Sequence, residues 1–162
     1  MIWASVAILA YVTLERLAEL LLARANTRRL LARGAIEHGG RHYPLIVGLH
    51  VLWLAALWVL GHDRAPEPFW LAMYVILQAM RLWILATLGP RWTTRIIVVP
   101  GEDLVKNGLY RFVNHPNYWV VIGEIAVLPL VFGLPWVALI FTVLNAGVLW
   151  VRIREENQAL GR

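Results

Sequence analysis

Apolar runs of about the length needed to cross a lipid bilayer recur along almost the whole chain. A spanning helix needs about 17–25 mostly apolar residues, and five segments lie near that length: 2–23, 44–60, 69–88, 118–132 and 135–151. The chain is 60% hydrophobic and 15% charged, whereas soluble domains average about 45–50% and 25%. A domain of 162 residues has too little interior to bury that excess. We therefore predict one all-α domain over 1–162, a polytopic membrane helix bundle with five transmembrane segments.

The last two segments are separated by only a tight turn. Segment 118–132 is short and contains Pro129, and Gly133-Leu134-Pro135 separates it from the next by a tight turn. They form either two full crossings or a shallow helical hairpin. In both cases the chain returns to the side that it left.

Basic residues are distributed unevenly between these segments. Twelve Lys and Arg residues lie in the connections 24–43 and 89–117 and in the tail 152–162, whereas Arg64 is alone on the opposite side. Positively charged connections stay in the cytoplasm. This predicts an external N-terminus and a cytoplasmic C-terminus, with any active site facing the cytoplasm. Because topology accounts for the net charge of +5, we expect no nucleic-acid partner.

Several polar side chains fall inside the predicted membrane segments, where ionisable groups are costly and often functional. They are Glu15, Arg16, Glu19, Gln78, Arg81 and Glu124. The first three form either a local ion-pair cluster or the polar wall of a cavity. Arg81 keeps its charge, and Glu124 is its predicted partner. Gln78, Arg81 and Glu124 have either a structural role or a substrate-side one.

Other polar residues give weaker signals. His50 and Asn145 are expected to form helix–helix hydrogen bonds. His38 and His42 have a helical spacing, but Gly39-Gly40 separates them. Because the chain has no HExxH pattern and no cysteine, we predict no metal site.

The segment 89–117 is the long polar stretch of the second half. Turn signals at Pro100-Gly101 and Asn107-Gly108 divide it, and residues 95–99 are expected to form a short extended or interfacial piece. It is too short for a nucleotide-binding βαβ unit, which needs about 30 residues or more. Any cofactor must therefore be held by helix ends and this loop.

Two polar motifs flank the last two apolar segments. Pro116 suits the first turn of a helix, and Asn114 is expected to cap it. His115 would then lie near free backbone N–H groups that can bind an anion. In the tail, the carboxylates of Glu155 and Glu156 either receive a cationic ligand or pair with neighbouring arginines. A capped helix and a solvated tail explain these residues as well as a binding site does.

The stretch VKNGLYRFVNHPNY at 105–118 resembles the "GPYRxxRHPxY" motif of the isoprenylcysteine carboxyl methyltransferase family of membrane enzymes. The glutamate pair after Arg152 is similar to that family's second motif, an Arg followed by paired acids. The resemblance covers about 78–160 and is closest to short bacterial members that O-methylate alkylpyrones. The chain differs at Leu109 and Asn114, where the family usually has Pro and Arg.

The resemblance implies a methyltransferase that uses S-adenosylmethionine at the cytoplasmic face of the membrane. The cofactor-binding residues that it implies are Gly108, Tyr110, His115, Pro116, Tyr118, Glu155 and Glu156. It also implies that Arg152 and Glu155 are catalytic, with Arg152 orienting the acids or the substrate.

A lipophilic acceptor would enter from the bilayer, and the cofactor from the cytoplasm. The leading acceptor is an alkylpyrone or a related polyketide enol or phenol. Carboxyl methylation of a prenylated cysteine and methylation of a lipid remain alternatives. A non-catalytic membrane scaffold is the alternative of another class. A transporter is disfavoured because the outer halves of the segments carry few polar residues.

Overall fold

The computed structural model describes residues 2–103 and 105–161, except for the side chain of Ile2. Within them the chain forms five α-helices, α1 (Ile2–Ala32), α2 (Tyr43–Gly61), α3 (Pro68–Leu88), α4 (Pro116–Val131) and α5 (Pro135–Ala159). Two short strands, β1 (Ile36–His38) and β2 (Ile96–Val98), pair with each other. Single 3-10 turns occur at Gly89–Arg91 and Gly108–Arg111. The predicted all-α bundle is confirmed.

Two helices are longer than their apolar segments. α1 continues past Ala23 to Ala32, and α5 continues past Val151 to Ala159. Neither extension contains Gly or Pro, and their Arg, Leu, Glu and Gln residues favour helix. The polar ends of α1 and α5 therefore stand as helices beside the 89–117 loop.

Among the described helices, α2, α3 and α5 are long and apolar enough to cross a membrane. α4 is shorter, with 16 residues, and α1 carries charged residues along its middle. α1 nevertheless exposes Leu14, Leu17 and Leu21, as a lipid-facing surface would. The chain has the composition of an integral membrane protein, and five crossings with an external N-terminus remain a prediction.

α4 lies at the centre of the bundle and packs against both α3 and α5. Val120, Ile125 and Leu128 on α4 are completely or almost completely buried. Gly123 permits a close approach to α3, because a Cβ there would lie 2.7 Å from a methyl group of Leu77. Small residues at helix contacts have this effect in membrane bundles. The first turn of α4 is thereby held at the loop end of the bundle.

The strands join the two connections at that end. β1 and β2 are antiparallel, with Ile36 opposite Val98 and His38 opposite Ile96. Arg95 Nη1 lies 2.7 Å from Glu37 Oε1 at the exposed side of the ribbon. The extended piece expected at 95–99 is confirmed, whereas its partner strand carried no clear sequence signal.

A buried ionic network connects α1, α3 and α4. Arg81 donates two hydrogen bonds to Glu19, one from Nη2 at 2.6 Å, and Arg81 Nη1 donates to Glu124 Oε2 at 2.8 Å. Arg16 Nη2 donates to the same Glu124 oxygen at 2.8 Å, and Gln78 donates to Glu15 at 3.1 Å. The predicted Arg81–Glu124 pair is confirmed. The local ion pair within α1 is also present, with Arg16 Nη1 3.3 Å from Glu19 Oε2, and the network extends it to α3 and α4.

Replacing Arg81 by Met should destabilise the bundle strongly. The change leaves Glu19 and Glu124 without their main partner in a buried site, which costs about 3–5 kcal/mol in other proteins. The measurement is the free energy of unfolding in mixed micelles. Arg28→Met, at an exposed site on α1, is the control, and equal stability of the two variants would contradict a structural role for the network.

The orientation can be tested because the chain has no cysteine. Asp63 and Arg154 are both exposed and lie at opposite predicted sides. In spheroplasts, a membrane-impermeant maleimide should label Asp63→Cys directly and Arg154→Cys only after permeabilisation. The reverse pattern would invert the predicted topology.

Candidate active site

A polar cavity of about 200 Å3 lies at the loop end of the bundle. Its wall combines β2 and the polar loop with the start of α4 and the end of α5. Side chains capable of binding a charged ligand include Arg91, Arg95, Tyr110, Asn114, His115, Asn117, Tyr118, Arg152 and Glu156. Residues that are distant in sequence thus converge on one site.

The phenol of Tyr118 connects the two helices at this cavity. Its hydroxyl accepts a hydrogen bond from Arg152 Nε at 2.8 Å and donates one to Glu156. The Arg152 guanidinium also lies 5.6 Å from the centre of the Tyr118 ring. Tyr118 and Arg152 are buried, so the first turn of α4 and the end of α5 are held in a defined orientation.

His115 extends this group of residues. Its ring stacks on Tyr118 with centroids 5.2 Å apart. His115 Nε2 donates to Asn157 Oδ1 at 3.1 Å, and Nδ1 lies 3.6 Å from Glu156 Oε1. The imidazole therefore contacts α5 through two consecutive residues.

α4 begins one residue later than a cap at Asn114 would require. Pro116 lies in the first turn, as predicted, and is the first residue of α4, and His115 occupies the N-cap position without a side-chain cap. The expectation that Asn114 caps α4 is wrong, because the fixed backbone of Pro116 starts the helix there. Asn114 is instead exposed and lines the polar cavity.

Tyr110 reaches the same cavity from the 3-10 turn. Burial, followed by the nearby charge of Glu156, raises the pKa of the Tyr110 hydroxyl above its usual range. The hydroxyl is therefore neutral at physiological pH and available as a hydrogen-bond donor.

Three residues implied by the resemblance do not line the polar cavity. Gly108 has φ +57°, and a Cβ there would lie 2.7 Å from Thr87 Oγ1 on α3, so its role in the structure is close packing. Pro116 starts α4. Glu155 lies beside the 39–42 connection, where its Cβ is 3.4 Å from the position of a Cβ on Gly39.

Glu155 and Glu156 face different ways because consecutive helical residues are about 100° apart. Glu155 acts electrostatically on His42, whose pKa is lowered by burial and then by Arg152, while Glu155 opposes the shift. Glu156 faces the cavity. The sequence pattern alone treats the two carboxylates as equivalent.

A second cavity, mostly apolar and of about 220 Å3, lies among α1, α2, α4 and α5. Leu17, Val47 and Val148 are typical of its lining. Residues that line both cavities are Trp92, Thr93, Asn117, Tyr118 and Arg152. The polar and apolar cavities therefore meet at the Tyr118–Arg152 contact.

The polar side chains of the predicted membrane segments either line this apolar cavity or contact the side chains that line it. Arg16, Glu19 and Arg81 are part of its wall, whereas Gln78 and Glu124 do not line it. The α1 cluster thus belongs both to an ion-pair network and to a cavity wall. The structure links Gln78 and Glu124 to that wall only through the network.

The prediction that His50 and Asn145 form helix–helix hydrogen bonds is wrong. His50 Nδ1 donates to Ile46 O in its own helix at 2.8 Å, and Asn145 Nδ2 is buried without a partner. Both residues line the apolar cavity.

Trp92, Asn117 and Asn157 are site residues that sequence reasoning did not single out. Trp92 follows the 3-10 turn at the end of α3 and is buried. Asn117 is next to Pro116 in the motif, and Asn157 follows the acidic pair. Their proximity to the motifs was the available signal. The packing of α4 against α5 brings Asn117 and Asn157 to the site, and the turn after α3 brings Trp92.

The profile of the isoprenylcysteine carboxyl methyltransferase (ICMT) family matches residues 70–162, which include all the side chains that form the polar cavity from α4 and α5. The chain belongs to this family. It is 41% identical to the uncharacterized protein YpbQ of Bacillus subtilis (strain 168), over 99% of this chain and 96% of that protein. An uncharacterized protein of Haemophilus influenzae is 27% identical over 83% of this chain and 82% of its own length. No solved structure matches significantly.

The family's methyl donor is S-adenosylmethionine, and the polar cavity has the chemistry to receive it. The donor carries a sulfonium, an ammonium, a carboxylate and an adenosine group. Glu156 offers a carboxylate, and Tyr110 and Tyr118 offer aromatic rings that attract cations. Arg95 offers a partner for a carboxylate. Asn117 Oδ1 is buried without a partner and lies where both cavities meet, so the residues fit this group.

Gly108→Ala tests the structural role of that glycine. Gly108→Ala should lower the free energy of unfolding more than Gly101→Ala does. Both glycines have a positive φ, but a Cβ at position 108 would meet Thr87, whereas at Gly101, with φ +80°, no described atom lies within 4 Å. We expect the difference in unfolding free energy to be about 1–3 kcal/mol, the usual cost of overpacking. Adding Thr87→Ala should recover part of that difference, because Trp83 Nε1 still lies 3.3 Å from the position of the Cβ. No recovery would argue against packing as the reason for glycine.

Proposed function

We propose that this protein is an integral membrane methyltransferase that uses S-adenosylmethionine to methylate a small lipophilic acceptor. The observation that supports it is the meeting of a polar and an apolar cavity at Tyr118 and Arg152. A charged cofactor and a membrane-soluble acceptor require two such compartments. We take an alkylpyrone or a related polyketide enol or phenol as the leading acceptor.

Four residues would hold the cofactor. Glu156 would pair with a cationic group, with Tyr110 and Tyr118 beside it, and His115 would keep Glu156 in position through its contact at 3.6 Å. When bound, S-adenosylmethionine supplies a methyl group activated by positively charged sulfur. Held in this way, the cofactor would be oriented by these residues.

Arg152 lines both cavities and is buried, which supports a role in orienting an anionic acceptor oxygen. Holding two reacting groups in line accounts for a large part of such catalysis. An ionised enol or carboxylate needs no strong general base. The apolar lining excludes water and therefore protects the reaction from hydrolysis.

The positive-inside pattern supports a cytoplasmic site in the bacterial inner membrane. Arg91, Arg95 and Arg152 all lie at the loop end of the bundle. The cofactor would enter there from the cytoplasm, and the acceptor would enter between helices from the bilayer.

Carboxyl methylation of a prenylated cysteine is compatible with the family description and is the second candidate. Its acceptor is also a lipophilic anion, so the same cavities would serve it. Lipid methylation and a non-catalytic scaffold role are the remaining outcomes of the experiments below.

Calorimetry with S-adenosylhomocysteine on the folded protein in detergent tests the class of function. We expect saturable binding, followed by transfer of a labelled methyl group to an alkyl-4-hydroxy-2-pyrone in proteoliposomes. A folded sample that binds neither S-adenosylmethionine nor its product would refute the enzyme and favour a scaffold. Transfer only to a prenylated cysteine, or only to a lipid, would replace the pyrone.

Glu156→Gln and Glu155→Gln form a matched pair of variants. Because only Glu156 lines the polar cavity, Glu156→Gln should weaken S-adenosylhomocysteine binding at least tenfold, the usual effect of losing a charged hydrogen bond. Glu155→Gln should change it less than threefold.

His115→Ala should also weaken binding, since it removes the stacking partner of Tyr118. All three variants should stay soluble and unfold at the same temperature as the unaltered protein, which controls for folding. If Glu155→Gln were the more damaging change of the pair, the role implied by the family motif would be correct and the geometric assignment wrong.

A further inference from the structure

Phe112 and Val113 form an exposed apolar pair shortly before α4. Phe112 is 76% exposed and Val113 is 40% exposed. Leu109 and Tyr110, from the 3-10 turn just before them, pack instead against a buried cluster shared by α1, α3 and α4. Single exposed apolar side chains are common on protein surfaces. The position of this pair relative to the membrane helices therefore decides what it contacts.

The turn before this pair lies beside the last two turns of α3. A Cβ on Gly108 would lie 2.7 Å from Thr87 Oγ1 and 3.3 Å from Trp83 Nε1. Both of these residues belong to α3, which is long and apolar enough to cross a membrane. Residues 108–111 therefore lie level with the end of a membrane helix rather than beyond it.

The backbone of this segment is suited to the edge of a bilayer. The N–H groups of Tyr110, Phe112 and Val113 donate hydrogen bonds to the carbonyls of Asn107 and Leu109, at 3.1 to 3.2 Å. Unpaired backbone groups are costly where water is absent. Because these three N–H groups are paired within the turn, the segment can lie against lipid at little cost.

The neighbouring side chains are typical of a membrane–water boundary. Trp83 on α3 and Trp119 on α4 are 53% and 65% exposed, and tryptophan favours that boundary. The exposed guanidinium of Arg111 lies 6.0 Å from the centre of the Phe112 ring. An arginine can place its charge at the lipid headgroups while its stem covers apolar surface, and its guanidinium pairs well with phosphate.

We propose that residues 111–113 form a membrane-anchoring surface whose partner is the phospholipid leaflet at the loop end of the bundle. Phe112 and Val113 enter the boundary of the acyl chains, and Arg111 contacts lipid phosphate groups. This anchor lies in a loop and acts in addition to the helical segments.

The anchor is adjacent to the proposed cofactor site. Tyr110 immediately precedes Arg111 and lines the polar cavity. Under the proposed methyltransferase function, which this step requires, lipid contact at Phe112 holds the turn, and the turn holds Tyr110 beside the cofactor. Loss of the anchor then weakens cofactor binding.

The depth of Phe112 can be measured with nitroxide labels, because the chain has no cysteine. Phe112→Cys is compared in liposomes with Leu82→Cys, 60% exposed on α3, and with Asp103→Cys, exposed in the polar loop. We expect the label at 112 to resemble the one at 82, with high accessibility to oxygen and low accessibility to a water-soluble nickel chelate. Accessibility to the chelate equal to that at 103 would overturn the proposal.

The same labels test a second copy of the chain as the alternative partner. Contact between two copies through this surface would broaden the spectrum of the label at 112 by spin–spin interaction. That broadening would disappear when the protein is diluted with lipid. We expect no such change, and observing it would overturn the lipid as partner.

Phe112→Ser and Phe69→Ser form a matched pair, since Phe69 is also exposed but lies at the opposite end of α3. In nanodiscs, Phe112→Ser should speed amide hydrogen exchange of residues 108–113 at least tenfold, the factor expected for losing the burial of one aromatic side chain. Phe69→Ser should leave that exchange unchanged. Equal exchange in both variants, with unfolding temperatures like that of the unaltered protein, would refute the anchor.

Cofactor binding separates the anchor from the proposed function. Phe112→Ser should weaken S-adenosylhomocysteine binding in nanodiscs severalfold, and Phe69→Ser should not. Unchanged affinity in Phe112→Ser would refute the coupling between the anchor and the cofactor site. Failure of the unaltered protein to bind S-adenosylhomocysteine would refute the enzyme instead, because the depth and exchange measurements do not require a cofactor.

Discussion

A charged side chain among membrane helices must find its partner within the protein, because lipid supplies none. Arg81 satisfies this requirement by donating to Glu19 on α1 and Glu124 on α4. Arg16 then shares the same Glu124 oxygen. These contacts tie α1 to the α3–α4 pair, and they also form one wall of the apolar cavity. The shape of the proposed acceptor compartment thus depends on the ionic network.

Size imposes the second constraint. Most of these 162 residues form helices, and the loops between them are too short to form a cofactor-binding domain. The polar cavity is instead assembled from a loop, a two-stranded ribbon and the ends of α4 and α5. Tyr118 is central to it, because one phenol joins Arg152 and Glu156 and stacks on His115.

Several features of the site followed directly from residue patterns. The Arg81–Glu124 pair was predictable because two opposite buried charges each needed a partner. The start of α4 at Pro116 followed from the geometry of proline, and the extended piece at 95–99 from the flanking turn signals. The cap at Asn114 and the helix–helix bonds of His50 and Asn145 were predicted wrongly. The cap differs because the fixed backbone of Pro116 starts the helix there, and the two hydrogen bonds differ because local preference does not reveal which side chains meet between helices.

The sequence by itself determined the membrane environment, the five helical segments, the family and the two stretches that carry the chemistry. These properties depend on composition, local spacing and motif, all of which are encoded along the chain. Tertiary structure decided which of the adjacent carboxylates faces the polar cavity, how α1 contributes to the site, and that two compartments meet at Tyr118. These depend on helix rotation and on contacts between residues far apart in sequence, which no local pattern specifies.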